Sequence, residues 1–249
     1  MKKIALSIIA PTMLFAVSAQ ADTILGVYAG GQIWDTANSG SFGSGAGNQA
    51  FAFDDEKQQS FYVALEHPIP LVPNIKIREN ELITQGSVTL SEDFSYNGQG
   101  YIAGTTLGSS IDLSHTDFTL YYEIFDNDLL TVDLGLTAKK VDGLLAVRDA
   151  QSENSLNSDG WIPTGYAQVR VGIPMTDFTV YGLANAVSID DSSIRDVEAG
   201  VEYRIIENLA IDLNLQLGYR DVSIELDDLD GIYSDVQFKG PYLGLEIHF

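Results

Sequence analysis

The chain ends with Tyr242-Leu243-Gly244-Leu245-Glu246-Ile247-His248-Phe249, in which apolar and polar residues alternate. Successive side chains of a β-strand point to opposite faces, so every second residue of this segment, counted back from Phe249, lies on one apolar face. An apolar face that ends on an aromatic residue is typical of the closing strand of a transmembrane β-barrel. The segment therefore predicts a membrane-spanning strand at the end of the chain.

The same two-residue alternation recurs in nine earlier segments, which are separated by turn residues. The predicted strands are residues 23–34, 59–67, 74–84, 114–125, 130–144, 162–173, 178–188, 195–205, 209–220 and 242–249. In the third segment, Glu79 and Glu81 fall on the apolar face, which predicts either a bulge or an exit from the bilayer. In the last, Val236 and Phe238 have the opposite parity, which predicts a bulge near Gly240 and Pro241.

The predicted connections alternate between short and long. Residues 35–58, 85–113 and 143–160 form the long ones, and the first contains a glycine- and serine-rich run from Gly40 to Gly47 that we interpret as a flexible loop. Short periplasmic turns and long extracellular loops are typical of outer-membrane barrels. We predict an all-β fold, a closed antiparallel transmembrane barrel of ten strands. Eight strands are the alternative, if the third segment pairs differently.

The start of the chain predicts an export signal. Residues 1–21 contain two lysines, an apolar stretch and a small-residue cleavage site that ends at Ala21. We expect residues 22–249 to form the barrel, in the bacterial outer membrane. No later apolar run reaches the roughly 18 residues of a spanning helix.

The composition limits the partners. The chain has no cysteine, and 35 acidic against 13 basic residues give a net charge of −22. Such a charge disfavours nucleic acid. Outer-membrane lipid and lipopolysaccharide are the expected surroundings, and we expect divalent cations to bridge acidic loops to an anionic leaflet.

The polar faces of the strands predict the lining of the lumen. The inward residues are Glu66, Lys76, Arg78, Asp117, Tyr121, Glu123, Asp133, Lys139, Arg170, Glu198, Glu202, Arg204, Asp212, Arg220 and Glu246. Unpaired charges in a narrow lumen are costly, so we expect most of them to pair. A barrel of this size is largely filled by side chains. Inward glycines such as Gly30, Gly200 and Gly244 predict a thin water path through the lumen. The excess of acidic over basic residues would make that path prefer cations.

Candidate chemistry is sparse, and no cofactor is expected. His115 and Asp117 share an inward face, and they are similar to the His and Asp that omptin proteases carry two residues apart on one strand. An outer-face hydrolase of the protease or lipid A deacylase type is therefore the alternative function, although it also needs a second carboxylate or a serine. Asp227, Asp228 and Asp230 are candidate calcium ligands, and a solvated acidic loop is the alternative.

At the level of the whole chain, the sequence resembles small Gram-negative outer-membrane β-barrel proteins. The terminal residues are similar to the signal that the barrel-assembly machinery recognises. The residues of this chain that match the signal are Tyr242, Leu243, Leu245, Ile247 and Phe249. Residues 66–76 and 116–128 resemble an uncharacterised barrel family of marine gammaproteobacteria. That resemblance implies a fold and a location but no activity. We expect a non-enzymatic barrel of the structural or surface-binding type.

Overall fold

The computed structural model describes residues 25–44, 48–127, 129–208, 211–229 and 232–249. Within these ranges the structure has no helix that is long and apolar enough to cross a membrane. The predicted leader, and Asp230 among the candidate calcium ligands, lie outside them. The strands are β1 (Gly26–Ser44), β2 (Gln49–Ala50), β3 (Ala52–Phe53), β4 (Glu56–Glu66), β5 (Asn74–Asn80), β6 (Ile83–Thr89), β7 (Phe94–Tyr96), β8 (Gln99–Tyr101), β9 (Thr106–Asp112), β10 (His115–Asp126), β11 (Leu130–Arg148), β12 (Glu153–Gly172), β13 (Phe178–Ile189), β14 (Ser192–Glu207), β15 (Asp212–Leu229) and β16 (Ile232–His248).

Ten of these strands close into an antiparallel barrel. Its order is β10, β5, β4, β1, β16, β15, β14, β13, β12 and β11, and β11 pairs with β10 to complete the ring. Where the chain ends meet, the Phe249 backbone N–H donates to the Val27 carbonyl at 2.9 Å. The prediction of ten strands is confirmed, and the alternative of eight is wrong.

The two ends of the barrel differ. One end, here named the turn rim, carries both ends of the described chain and the short connections 67–73, 127–129, 173–177 and 208–211. The opposite end, the loop rim, carries the small strands β2, β3 and β6–β9. Short turns face the periplasm in outer-membrane barrels. We therefore expect the loop rim to face outward.

Several barrel strands continue well beyond the membrane. β11 has 19 residues and β12 has 20, whereas about 9–11 residues cross a bilayer. Much of what the sequence predicts as long loops is therefore strand. The glycine- and serine-rich run is β1 as far as Ser44. Gly40 is required there, because its φ is +139° and a Cβ would lie 2.0 Å from the Asp235 carbonyl oxygen.

The bulge predicted near Gly240 and Pro241 is wrong. The register between β1 and β16 is the same where Trp34 faces Tyr242 as where Ser44 faces Ile232, and the β15–β16 register is continuous through Pro241. Val236 and Phe238 point into the barrel and are 0% exposed. The β1–β16 ladder is interrupted opposite Gly240 and Pro241, but its register does not shift. The apolar residues change parity because the medium on each face of the strand changes.

The third barrel strand ends at Asn80, which pairs with His115. After a two-residue break at Glu81 and Leu82, the chain continues in β6. It pairs with β9 in the same register in which β5 pairs with β10, and β9 in turn extends the sheet along β11. Leu82 is 1% exposed and packs inside the barrel. The register does not shift across the break, so the predicted bulge is wrong. The alternative, that the strand has left the bilayer there, stays a prediction.

The loop-rim strands and the outer ends of the barrel strands pack together and fill the space between them with apolar side chains, which we name the apolar plug. Its buried members are Trp34, Phe42, Phe51, Leu82, Leu90, Phe94, Tyr96, Tyr101, Leu107, Ile111, Leu145, Val147, Tyr181, Val222, Val236, Phe238 and Tyr242. Barrel walls and loop strands both contribute. The described residues thus form one continuous core across the outer part of the barrel.

Candidate functional site

The interior has three levels. A polar cavity opens at the turn rim, a layer of ion pairs crosses the middle, and the apolar plug fills the loop-rim half. The middle level, named the charged layer, consists of Arg78, Asp117, Lys139, Asp196, Glu198 and Arg220. Every member is at most 5% exposed.

Two arginines hold one side of the charged layer. Arg78 is ion-paired with Glu198. The Arg220 guanidinium donates to both oxygens of Asp196, at 2.9 and 2.7 Å, and lies 4.9 Å from the ring centre of Trp34. Planar guanidinium groups match carboxylates in this bidentate manner. The Arg78–Glu198 pair joins β5 to β14 across the lumen, whereas the Arg220–Asp196 pair joins the neighbouring strands β15 and β14.

Lys139 holds the other side. Its ammonium donates to Asp117 at 2.8 Å and lies 3.6 Å from Asp196 and 3.4 Å from His115 Nε2. The second ring nitrogen of His115, Nδ1, is 2.9 Å from the Leu113 carbonyl oxygen. The ligand atoms of His115, Asp117 and Asp196 come within 4.8 Å of one another, close enough to hold a metal ion. The Lys139 ammonium already occupies the cation position among these groups.

The hydrolase alternative requires a water held between His115 and a second carboxylate, or a serine beside the histidine. Within the described ranges, neither a serine nor a second carboxylate lies within hydrogen-bond distance of His115. Asp196 is the nearest carboxylate outside the predicted pair, and Lys139 bridges it to Asp117. His115, Asp117 and Asp196 are all buried under the apolar plug. The geometry of the described residues therefore does not assemble the proposed hydrolytic site.

The turn-rim cavity has a volume of about 290 Å³. The sequence-predicted residues that line it are Glu66, Lys76, Tyr121, Glu123, Asp133, Arg170, Glu202, Arg204, Asp212 and Glu246. Arg170 bridges Glu202 at 2.5 Å and Glu246 at 3.2 Å. The remaining lumen residues predicted from the sequence, Arg78, Asp117, Lys139, Glu198 and Arg220, lie in the charged layer.

Tyrosines complete the hydrogen bonding of the cavity. Tyr62 donates to Glu246 at 2.5 Å, and Tyr121 donates to Glu66 at 2.7 Å. The Lys76 ammonium lies 4.4 Å above the ring of Tyr62, which is a cation–π contact. These contacts pair acids with donors from strands two positions away in the barrel, as expected for a narrow lumen.

Some predicted lumen residues sit nearer the mouth. Arg204 is partly exposed and pairs with Glu207 at 2.9 Å, on its own strand. Asp212 is half-buried beside His248, 3.7 Å away. Asp133, which is 3% exposed, has one carboxylate oxygen, Oδ1, without a hydrogen-bond partner.

Tyrosine side chains occupy the space beside the inward glycines. A Cβ on Gly30 would lie 2.3 Å from the ring of Tyr62, and one on Gly200 would lie 2.9 Å from the Tyr242 hydroxyl oxygen. Tyr242 also shares a hydrogen bond with Tyr181. At Gly244, the side chains of Gln32 and Gln216 take this role. The glycines make room for these rings and amides, so the thin water path predicted from them is wrong at these positions.

Sequence reasoning missed Asp196 and the neutral side chains that complete the charged layer. Asp196 shares the inward parity of Glu198, so the alternation alone could have identified it. Gln32 accepts from Arg78 at 2.6 Å, and Asn80 accepts from Arg220 at 2.9 Å. The alternation also places both amides on the inward face, but no sequence signal identifies their partners, which are distant in sequence.

The terminal residues and the acidic loop have the following positions. Leu243, Leu245 and Phe249 face outward and are 49–57% exposed, whereas Tyr242 points inward. Asp227 is exposed, and its backbone N–H donates to Ser192 Oγ at 3.1 Å. The side chain of Asp228 lies outside the described part of the structure. Calcium binding and recognition by the assembly machinery stay predictions.

No protein-family model matches the chain, and no curated protein matches it. Among solved structures, it is similar to the outer membrane protease OmpT from Escherichia coli, with a TM-score of 0.50 and 8% identity over 90% of this chain and 96% of that one. It is also similar to Neisserial surface protein A (TM-score 0.32, 12% identity, 90% and 97% covered). Outer membrane protein OprG from Pseudomonas aeruginosa is a further match (TM-score 0.30, 12% identity, 90% and 95% covered).

These structural neighbours are Gram-negative outer-membrane β-barrel proteins. At such low identity the likeness concerns the fold alone. One of the three neighbours is a protease, but the likeness gives no evidence that this chain shares its chemistry. The finer resemblance to a marine gammaproteobacterial family stays a prediction. The chain thus has the closed ten-stranded fold of outer-membrane β-barrels.

Proposed function

We propose that this chain is a non-conducting, non-enzymatic outer-membrane barrel of the structural or surface-binding type. The observation that supports it is the apolar plug, which lies across the lumen directly outside the charged layer. An ion that enters the turn-rim cavity would meet buried, mutually paired charges and then the apolar plug, where the buried polar side chains among the described residues are neutral and Thr36, Asn38 and Gln58 are bonded to backbone carbonyls. Entry of an ion into such a region is very costly.

The plug also gives the loop rim a defined outer surface. Tyr96 of the β7–β8 hairpin donates to the Leu145 carbonyl at 2.8 Å, and Asn154 donates to the Tyr96 carbonyl at 2.9 Å. These contacts tie the hairpin to the β11–β12 wall. A loop surface anchored in this way is pre-organised, which lowers the entropic cost of binding a partner. Lipopolysaccharide and divalent cations at the acidic loops are the partners proposed for it.

Conductance in a planar lipid bilayer tests the closed lumen. We expect the refolded chain to insert without discrete current steps, while an open porin measured alongside gives them. A variant in which a short glycine–serine linker replaces residues 86–109 should conduct, because it removes β7, β8 and most of β9 from the plug. If the intact chain gives discrete channels, the proposal is wrong, and cation preference in those channels would favour the predicted cation path.

A further inference from the structure

The barrel wall has an opening between β12 and β13, which we name the side gap. These strands pair only from Gly165 opposite Ala186 to Gly172 opposite Thr179. Beyond Gly165, β12 continues to Glu153 paired with β11 alone, while β13 stays paired with β14. Along residues 153–164 the described structure gives β12 no strand partner on its β13 side.

An apolar cavity of about 230 Å³ lies behind the side gap. Its far wall is made by Ile194 of β14 and by Val222 and Ile224 of β15. Both faces of β12 line it, with Ile162 from the inner face and Trp161 from the outer, so the cavity extends round the free edge of the strand. It is therefore continuous with the outer surface of the barrel.

The floor of the cavity is polar but already paired. His115, Lys139 and Asp196 form it, and Lys139 lies within ion-pair distance of both Asp117 and Asp196. Asp159 also lines the cavity and is exposed at its mouth. An occupant therefore finds mostly apolar walls, one carboxylate at the mouth and no free charge at the bottom. This lining fits a hydrocarbon chain better than a polar ligand.

The side gap begins at the outer edge of the lipid-facing band. On β12 the outward residues run from Val171 and Val169 to Trp161, which is 61% exposed and packs against Phe118 with ring centres 5.7 Å apart. Exposed aromatic pairs at this position are typical of the membrane–water interface. A lipid of the outer leaflet therefore meets the gap near the level of its headgroup.

Basic residues flank the gap in a strongly acidic chain. Lys140 pairs in register with Trp161 on one side, and Arg195 pairs with Ala186 on the other. Both stand at similar distances along their strands from the turn rim. Both are about half exposed and make only loose ion pairs, with Asp142 at 3.5 Å and with Asp221 at 3.9 Å. They can therefore reach a phosphate at little cost.

We propose that the side gap binds one anionic lipid of the outer leaflet. One acyl chain enters the cavity between β12 and β13, and Lys140 and Arg195 attract the anionic headgroup from the two sides of the gap. Lipid binding at this site does not depend on whether the lumen conducts, because the acyl chain enters from the membrane and ends on the loop-rim side of the charged layer.

Isoleucine methyl NMR in nanodiscs tests the proposal. In phosphatidylglycerol nanodiscs, we expect nuclear Overhauser cross-peaks from acyl-chain protons to the inward methyls of Ile194 and Ile224. Ile75 and Ile77 face the lipid and should give such cross-peaks in any case. Ile111 lies inside the plug at 1% exposure and should give none. Absence of cross-peaks to Ile194 and Ile224 would overturn the proposal.

Two variants test the parts of the site. Ile224→Trp fills the cavity and should remove the cross-peak to Ile194, while Leu134→Trp, on the lipid-facing wall, should leave it. Lys140→Gln with Arg195→Gln should weaken the Ile194 and Ile224 cross-peaks in phosphatidylglycerol several-fold and leave those to Ile75 unchanged. An unchanged signal in the double variant would overturn the role of the two basic residues.

Discussion

The two halves of the barrel use the same strands with opposite polarity. Near the turn rim, β16 turns Leu243 and Leu245 outward and Glu246 inward. Towards the loop rim it turns Asp235 outward, and Val236 and Phe238 inward. β15 changes in the same way, from inward Gln216 to inward Val222. The half near the turn rim therefore suits a barrel surrounded by hydrocarbon, and the half near the loop rim suits one surrounded by water.

The difference shows how each half is stabilised. In the membrane, burying apolar side chains inward gains little over leaving them in lipid, so polar side chains fill the lumen and must pair with one another. In water the apolar side chains drive the wall and loops together, as in a soluble protein. The charged layer lies at the boundary. We expect the two halves to respond differently to substitution.

The largest effect is expected in the charged layer. Arg220→Met removes the bidentate partner of Asp196, and leaving a buried charge without its partner costs about 3–5 kcal/mol of unfolding free energy. Urea unfolding in lipid vesicles, followed by circular dichroism, measures it. The double variant Arg220→Met with Asp196→Leu should recover much of the loss, because both charges are then absent and Lys139 keeps Asp117.

A surface ion pair is the matched control for that experiment. Lys57 and Asp35 are 3.8 Å apart, with side chains 75% and 63% exposed. Lys57→Ala should cost less than about 1 kcal/mol, because solvent screens such pairs. If Arg220→Met costs no more than Lys57→Ala, the charged layer does not stabilise the membrane half.

The ten strands could be predicted because each strand that crosses the membrane alternates in polarity, whichever strand it pairs with. The apolar plug could not be predicted. A two-residue period shows which side chains share a face of the strand, but not whether that face meets lipid, water or the interior of the barrel. Val236 and Phe238 therefore suggested a bulge where the structure has a change of solvent. The ion pairs were also hidden: Arg78 and Glu198 lie on strands far apart in sequence, and only closure of the barrel brings them together.

The next effect tests the water-exposed half. Phe238→Ala empties a fully buried position in the apolar plug, and we expect a loss of about 3 kcal/mol. Leu243→Ala removes an outward side chain of the same strand, where lipid can fill the space, and should cost clearly less. Amide hydrogen exchange should show the Phe238→Ala loss at the loop rim. Equal losses of unfolding free energy for the two variants, or faster exchange spread evenly over both halves, would contradict the proposed difference between the two halves of the barrel.

The smallest effect is expected at the tip of the β11–β12 hairpin, in water. Asp149 accepts backbone hydrogen bonds from Gln151 at 2.9 Å and Ser152 at 2.7 Å. These donors hold the pKa of the Asp149 carboxyl below its ordinary value. A depressed pKa in the folded chain means that the turn is stabilised above the ordinary aspartate pKa, and that this contribution is lost as the pH falls through the depressed value.

The amide shifts of Gln151 and Ser152, followed by NMR as the pH is lowered, test this turn. We expect them to stay constant through the ordinary aspartate range and to move only at more acidic pH. Asp149→Asn keeps an oxygen acceptor and should remove the titration. A midpoint at the ordinary aspartate pKa would show that the turn does not hold the carboxylate. Because Asp149 is exposed and solvent screens it, the change should stay local and leave the charged layer and the apolar plug unaffected.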